Sequence, residues 1–227
     1  MISRKNSRFL SFFATLILPF VMYPFTIVID AGHGGNEKGA VQTGIVEKDL
    51  TLRLAQKIQT HLGKRSGIKV VMTRENDTTV PIEDRAKKIA AAKADLFVSI
   101  HFNIDVFRLS ETRGIEIYYP ADDFAQDPAA AFALYHRNNR SFALGKLIRD
   151  QYLKSELFTV WKHDFNMFAQ RDLKLFRLTD APGILVETAY LTAPEDRSRI
   201  ENEQFLDDMA QFLATTIAEY AGKKAAR

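Results

Sequence analysis

The stretch Thr26-Ile-Val-Ile-Asp-Ala-Gly-His-Gly-Gly35 decides the fold. Its first five residues are an apolar run that ends in an acid, and the glycines after them predict a tight loop, so we expect a strand at Thr26–Asp30. A helical pattern begins at about Glu47 and places leucine or isoleucine at every fourth position from Leu50 to Leu62. A strand, a glycine loop and an amphipathic helix in this order are typical of an α/β domain.

The rest of the chain alternates in the same way. Further strands are predicted at Ile68–Thr73, Ala94–Ile100, Gly114–Tyr119, Leu173–Leu178 and Gly183–Thr188. Helices are predicted from Pro81 to Ala91, over 127–153 in one or two pieces, and from Pro194 onward. The nearly continuous apolar run before His101 is typical of a strand that is covered on both faces. We therefore predict a single α/β domain with a twisted, mostly parallel β-sheet flanked by α-helices on both faces.

The composition allows one well-packed domain and narrows the choice of ligand. The chain has 227 residues, 46% of them hydrophobic, and we assign 26–222 to that domain. Arg4, Lys5 and Arg8 supply three of the 31 basic residues, so the remainder holds 28 basic and 28 acidic residues. A neutral domain without a basic stripe argues against nucleic acid as the ligand. There is no cysteine, so histidines and carboxylates would have to hold any metal.

The first 25 residues predict export. A basic start precedes the uncharged run Phe9–Phe25, as in a signal peptide. The run is close to the lower length limit of a membrane span, so an uncleaved signal anchor is the alternative to a cleaved signal peptide. Both interpretations place the domain in the periplasm or cell envelope. Membrane contact is expected only through this segment, and only if it is not cleaved.

Three potential metal ligands fall near the carboxyl ends of predicted strands, where open α/β sheets have their active sites. His33 follows the first strand, His101 follows the third, and Glu47 lies in the first helical turn, where the helix dipole favours a carboxylate. Two imidazoles and one carboxylate are a donor set that zinc uses for hydrolysis, with a fourth position left for water. The sequence therefore predicts a zinc (Zn2+) site at His33, Glu47 and His101.

Glu187 completes the predicted site. It ends the apolar run Gly183–Val186 and is expected at the same edge of the sheet, as a general base that takes a proton from the attacking water. Asp30 is a rival metal ligand, but we favour a role in fixing the glycine loop, because aspartate oxygens readily bond turn backbone. Each of these residues alone has an ordinary structural explanation. Their coincidence at one edge favours a catalytic site.

Other catalytic and binding motifs are not supported. The loop after the first strand has Glu37 where a dinucleotide-binding fingerprint needs its third glycine. The chain has no G-x-S-x-G nucleophile elbow of a serine hydrolase. The remaining histidines, His61, His136 and His163, lie in polar contexts and are expected to be solvated.

The chain resembles a known protein family in four blocks of sequence that occur in the same order. These blocks are Ile29–Gly35, Glu47–Leu50, Ala94–Asn103 and Pro182–Leu191. They resemble the zinc-dependent N-acetylmuramoyl-L-alanine amidases of the type 3 family, from about residue 26 to about residue 220. The resemblance implies that His33, Glu47 and His101 bind zinc and that Glu187 is catalytic. It also implies the activity: hydrolysis of the amide between N-acetylmuramic acid and L-alanine of the peptidoglycan stem peptide, in cell-wall remodelling or cell separation.

The chain departs from the family pattern at Ala31, Phe102 and Ala193. The bulky ring of Phe102 directly follows the second histidine, and we expect it to narrow the cleft and alter which peptide or glycan is accepted. No residue with a chemical role in the family motif is missing. The sequence therefore predicts an active enzyme.

Some relatives carry an inserted helix that plugs the metal site until a protein activator moves it. Such an insertion would fall at 121–162, where a plugging carboxylate would come from Asp122, Asp123 or Glu156. We favour an ordinary surface helix that packs through Phe132, Leu144 and Leu147.

Two other functions are open at this point. One is a wall-binding or regulatory module that has the fold and does not cut, although Glu187 argues against it because a binding module needs no general base. The other is a zinc peptidase that acts on bonds within the stem peptide. Product analysis distinguishes them, since only an amidase frees the amino group of L-alanine.

Overall fold

The structure is a computed structural model that describes residues 23–107, 112–121, 127–161 and 168–225. All but the last three residues of the predicted export segment, 1–25, lie outside this part of the chain. None of the helices in the described ranges is long and apolar enough to cross a membrane.

A six-stranded sheet is the centre of the described fold. Its strands are β1 (Phe25–Ala31), β4 (Ile68–Met72), β5 (Leu96–Asn103), β6 (Glu116–Pro120), β7 (Phe168–Arg171) and β8 (Gly183–Tyr190), and β2 (Val41–Gln42) pairs separately with β3 (Ile45–Val46). The helices are α1 (Glu47–Gly63), α2 (Ile82–Ala91), α3 (Pro128–Lys154), α4 (Lys174–Arg177), α5 (Pro194–Ile200) and α6 (Glu203–Ala225), with a 3-10 helix at Glu156–Trp161.

The strands lie in the order β4-β1-β5-β8-β6-β7. All neighbours are parallel except β6 and β8, which are antiparallel. The register pairs Ala31 of β1 with Ile100 of β5, and His101 of β5 with Glu187 of β8. The predicted mostly parallel sheet is confirmed.

Alternate residues of each strand serve two cores on opposite faces of the sheet. In β1, Ile27 and Ile29 belong to the larger core, to which α1, α3 and α6 contribute, whereas Val28 belongs to the smaller core with α2 and α4. The prediction of helices on both faces is therefore confirmed.

Helix α1 buries the stripe that the sequence predicts. Leu50 is 3% exposed, and Leu54, Ile58 and Leu62 are fully buried against the sheet and α6. Burial of one such side chain contributes about 1.5–3 kcal/mol relative to its exposure to water. The four-residue spacing thus fixes which side of α1 faces the sheet, and with it the direction of Glu47 at the helix start.

The prediction for the segment after 155 is partly wrong. Leu173–Leu178 is not a strand: Lys174–Arg177 is one turn of helix, and Leu175 and Phe176 pack into the smaller core. Its apolar residues fit a period of two and a period of 3.6 equally well, because the run is so short. Just before it lies β7, a strand that the sequence does not predict.

The 121–162 segment contains one continuous helix, α3, which packs on β6, β8 and α6. Leu144 is fully buried and Leu147 packs against the larger core, as expected of a surface helix, but Phe132 is 66% exposed and its predicted packing is wrong. Asp122 and Asp123 lie outside the described residues. Glu156 is exposed in the 3-10 helix.

A buried ion pair ties β1 to its neighbours. Asp30 is 2% exposed, and its Oδ1 accepts hydrogen bonds from Arg85 Nη1 at 2.7 Å and from the Thr73 hydroxyl at 2.6 Å. Its Oδ2 accepts one from the Ser99 hydroxyl at 2.6 Å. Burial alone would raise the pKa of Asp30, but the charge of Arg85 and these hydroxyls outweigh it and hold the pKa below its ordinary value.

Replacement of this acid gives the first prediction. Asp30→Asn should lower the free energy of unfolding at pH 7 by about 3 kcal/mol, because it leaves the Arg85 guanidinium buried without its counter-ion. The control Asp84→Asn, at a side chain that is 50% exposed and pairs with Lys87, should change stability by less than about 1 kcal/mol. Urea unfolding measures both variants.

The same variants carry a pH test. Because folding lowers the pKa of Asp30 from 3.8, its carboxylate stabilises the fold above that value, and the stabilisation is lost as the pH falls through the folded-state pKa. The stability gap between wild type and Asp30→Asn should therefore shrink as the pH falls below 3.8. An unchanged gap would contradict the ion-pair argument.

Candidate metal centre

The loop after β1 presents His33 in a left-handed backbone conformation, with a φ of 57°. Two buried arginines hold the loop by its carbonyl oxygens. Arg74 donates from Nε to Ala31 at 2.9 Å and from Nη2 to Gly32 at 2.8 Å. Arg85 donates to the carbonyls of Ala31 and His33. The backbone that carries His33 is therefore fixed by side chains from β4 and α2 and their flanking turns.

Glu47 lies between the two predicted histidine ligands and is 4% exposed. Its Oε1 is 3.1 Å from His33 Nε2 and 2.9 Å from His101 Nδ1. The backbone N–H groups of Ala40 and Phe102 donate to the same carboxylate at 2.8 Å and 3.1 Å. These bonds fix both carboxylate oxygens of Glu47. They bring together a carboxylate from α1 and imidazoles from β5 and the β1 loop.

This arrangement fits a metal ion. One ligand atom from each of His33, Glu47 and His101 lies within 4.8 Å of the other two. Two nitrogens and one oxygen aimed at a common point are a donor set for a borderline divalent metal. The structure thus brings together all three residues that the sequence selects as ligands.

The contact between Glu47 and His101 shifts the pKa of each group in favour of its charged form. Burial alone would raise the pKa of Glu47, but its hydrogen bonds with His101 and His33 bring that pKa below the ordinary value. Burial would lower the pKa of His101, but the bond with Glu47 and the nearby Glu187 charge raise it. A cation placed among these groups would interact favourably with the Glu47 carboxylate.

Two glycines leave room for the ligands. A Cβ at position 32 would lie 2.4 Å from His101 Cε1, and one at Gly39 would lie 2.5 Å from Glu47 Oε2. Gly32 is therefore required by the close approach of the His101 ring. At Gly39 the φ of 65° adds a backbone requirement to the steric one.

Glu187 lies one strand away from His101, its register partner in the parallel pair β5–β8. Its Oε2 is shielded from solvent and accepts no hydrogen bond from the described residues. Burial is the main cause that raises the pKa of Glu187 to about 7, with Glu47 and Glu116 adding to it and His101 opposing it. A carboxyl group with this pKa can take up and release a proton near neutral pH.

Other sequence-based expectations are corrected or refined. Asp30 is not part of the three-residue group, but the expected bonds to turn backbone are wrong: among the described residues its carboxylate accepts from Arg85 and two hydroxyls, and it acts on the loop through Arg85. Phe102 does not narrow the cleft: it is 2% exposed and packs into the larger core, because successive strand residues face opposite sides.

Of the remaining histidines, His136 is exposed, as predicted, whereas His61 is half-buried and lies 3.1 Å from Asp207. His163 lies outside the described residues. The sequence-based reasoning missed Arg74 and Arg85. Arg74 follows β4 and so lies at the same edge of the sheet as the candidate site. This position at a strand end is a sequence signal that would have added Arg74 to the predicted site residues.

The fold and this centre define a class, the α/β proteins that have a potential metal-binding group at the carboxyl edge of a mostly parallel sheet. Within that class, the family described as N-acetylmuramoyl-L-alanine amidase matches residues 27–219. The chain belongs to this family. The resemblance recognised from the four sequence blocks is confirmed.

Comparison with individual proteins agrees with this family assignment. The chain is 32% identical over 195 residues to N-acetylmuramoyl-L-alanine amidase LytC of Bacillus subtilis strain 168, and this match covers 86% of the chain and 35% of LytC. It is 31% identical over 201 residues to an endolysin of Bacillus phage SPP1, covering 86% of the chain and 66% of the endolysin. The chain thus spans less than two thirds of the length of either protein.

The solved structure of N-acetylmuramoyl-L-alanine amidase AmiC2 of Nostoc punctiforme has a TM-score of 0.71 with this fold at 28% identity. The match covers 86% of this chain and 96% of the solved chain. The described domain therefore shares its fold with nearly the whole of that solved chain.

Gly32→Ala tests the close packing of the potential metal-binding group. The added methyl group should displace the His101 ring and lower the affinity for added zinc by roughly tenfold or more. Gly63→Ala is the matched control, because a Cβ there meets no atom within 4 Å. Competition with a chromogenic chelator measures both affinities. Equal affinities for the two variants would show that the approach of Gly32 to His101 is not a constraint on metal binding.

Proposed function

We propose that this chain hydrolyses the amide bond between N-acetylmuramic acid and L-alanine of peptidoglycan as a zinc-dependent amidase. The observation that carries the proposal is the convergence of the Glu47 carboxylate on His33 Nε2 and His101 Nδ1. Membership of the amidase family supports the substrate, and the donor set supports zinc.

His33, Glu47 and His101 would hold the metal. Zinc bound there would polarise the amide carbonyl and favour deprotonation of the attacking water. The hydrogen bonds of Ala40 and Phe102 to Glu47 keep its carboxylate in place without help from solvent. These contacts preorganise the centre, so that little rearrangement is needed when a metal or substrate binds.

Glu187 would carry the proton. Its carboxylate takes a proton from water as the water oxygen adds to the amide carbon, and it returns that proton to the amine of L-alanine as the C–N bond breaks. The lactyl group of the sugar is left as a carboxylic acid and the stem peptide as a free amine. A pKa near 7 suits both halves of this transfer.

The substrate implies a location outside the cytoplasm. Peptidoglycan is the expected partner, and the segment 1–25 remains our proposed export signal or anchor. Remodelling of the wall or separation of cells is the proposed setting. Dependence on a protein activator is a separate proposal that the activity assay below tests.

The same centre argues against a binding module. A buried carboxylate oxygen that accepts no hydrogen bond is costly to the fold, and such groups are concentrated at catalytic sites. A peptidase remains the second candidate, because a zinc centre with a glutamate base also hydrolyses peptide bonds.

Product analysis decides between these activities. Purified peptidoglycan incubated with the full-length chain should release intact stem peptides that begin with a free L-alanine amine, as seen by mass spectrometry. A chelator should abolish the release and added zinc should restore it. Fragments cut within the stem peptide would instead identify a peptidase. A lack of products from a zinc-loaded chain that binds the wall would favour a binding module or a requirement for an activator.

Glu187→Gln tests the proton carrier. The variant should lose at least about a hundredfold in kcat while its zinc content stays unchanged, because the amide cannot accept the proton and Glu187 is not one of the three ligands. Glu201→Gln, an exposed glutamate after α5, is the control and should keep full activity. Thermal midpoints should not fall for either variant, and a fully active Glu187→Gln would rule out the general-base role.

A further inference from the structure

A recess of about 370 Å³ opens beside the proposed catalytic glutamate. Its walls include Glu116 at the start of β6 and Arg171 at the end of β7. Glu116 is the register partner of Glu187 in the antiparallel pair β6–β8. The recess is therefore one strand further across the sheet than Glu187, on the side away from the β1 loop.

Each carboxylate oxygen of the two acids in the recess has at least one hydrogen-bond donor from this chain. Glu116 is 2% exposed, and its carboxylate accepts hydrogen bonds from the hydroxyls of Tyr118 and Tyr190 and from Asn103 Nδ2 at 2.9 Å. Asp105 accepts from the Phe107 N–H at 2.9 Å and from the hydroxyl of Thr112. Neither acid has a carboxylate oxygen without a donor.

Arg171, by contrast, has hydrogen-bond donors that no described residue accepts from. It is exposed, and a guanidinium group has five N–H donors. Within the described ranges its only side-chain hydrogen bond is a long one, 3.5 Å from Nη2 to the hydroxyl of Tyr118. Its guanidinium carbon lies 4.8 Å from the centre of the Tyr118 ring, which supports the side chain from one side.

A chain of hydrogen bonds also orients this cation. Arg171 donates to the Tyr118 hydroxyl, which donates in turn to the buried Glu116 carboxylate. Glu116 thus holds the tyrosine, and the tyrosine holds the guanidinium at the recess. Arg171 therefore offers the recess a cation with a planar fork of N–H donors, which matches a carboxylate.

We propose that Arg171 binds a carboxylate of the peptide part of the substrate and so selects stem peptides by their charge. The inference rests on the proposed amidase function, because it takes the scissile amide to lie between the metal-binding group and Glu187. In a stem peptide that continues through the side chain of D-glutamate, the α-carboxylate of that second residue is a free anion close to the cut bond. Its α-carboxamide form, D-isoglutamine, lacks that charge.

Two disaccharide-peptide fragments that differ only at this group give the test. The full-length chain should hydrolyse the D-glutamate fragment with a kcat/KM roughly tenfold above that of the D-isoglutamine fragment, as expected for a hydrogen-bonded ion pair. Arg171→Gln should lose that preference, mainly through KM, and change less than about twofold on the carboxamide, because Arg171 contributes binding and no chemistry. Arg171→Lys should retain part of the preference, since it keeps the charge and loses the fork.

Arg177→Gln is the matched control. This exposed arginine of α4 already pairs with Asp172, so its loss should leave both rates unchanged. An equal fall on both fragments in Arg171→Gln, or a wild type without preference, would overturn the charge selection while leaving the amidase activity intact.

A binding measurement separates failure of this inference from failure of the proposed function. Calorimetry of the two fragments with Glu187→Gln and with the double variant Glu187→Gln/Arg171→Gln needs no turnover. If the wild type cuts neither fragment, that result counts against the proposed function or points to a required activator, and it does not bear on the binding comparison. The carboxylate inference still stands if the single variant binds the D-glutamate fragment about tenfold more tightly and the double variant does not. Equal binding of the two fragments by the single variant overturns it.

Discussion

The parallel register of β1, β5 and β8 is the constraint on which the site depends. Because Ala31 pairs with Ile100 and His101 pairs with Glu187, the loop that carries His33, the second histidine and the proposed base all reach one edge of the sheet. A slip of one residue between β5 and β8 would turn every side chain of one strand to the other face. Apolar residues on both faces oppose such a slip, since it would expose core side chains and bury Glu187 in the larger core.

The loop that carries His33 depends on charge more than on packing. Its carbonyl oxygens would be unsatisfied in a buried turn, and Arg74 and Arg85 provide the donors that they need. Asp30 offsets one of these two cations from within β1. The polar layer under the glycine loop therefore stabilises the loop and positions His33, and it explains why an acid ends a strand whose other residues are apolar.

The sequence was sufficient for those features that depend on local pattern or on the general rule for strand ends. The apolar runs of β1 and β5, the stripe of α1 and the convergence of His33, Glu47 and His101 belong to this group. The position of Phe102 also follows from local pattern, because strand alternation puts the neighbour of His101 on the opposite face, and the predicted narrowing of the cleft is therefore wrong.

What the sequence could not give depends on long-range contacts. Arg74 and Arg85 reach the β1 loop from positions 43 and 54 residues away from Ala31. The strand end before Arg74 indicates the correct edge of the sheet, but no local pattern indicates the contact that Arg85 makes from α2. Strand β7 has only four residues and one half-buried end, so its apolar pattern is too short to recognise. The segment α4 is a helical turn and not the predicted strand, because its tertiary packing on α2 determines its conformation.

Two glutamates are paired across neighbouring strands of the sheet but differ in their electrostatic state. The difference lies in the number of hydrogen-bond donors that reach each carboxylate. Glu116 and Glu187 are register partners, both shielded from solvent in whole or in part. Three side chains donate to Glu116, so its carboxylate is a fixed anion that orients its neighbours. Glu187 Oε2 has no donor in the described part of the chain, and burial instead raises the pKa of this group. Residue type and position do not separate a structural carboxylate from a proton carrier here. The supply of hydrogen-bond donors separates them, and it makes Glu187 the member of the pair that suits the proposed proton transfer.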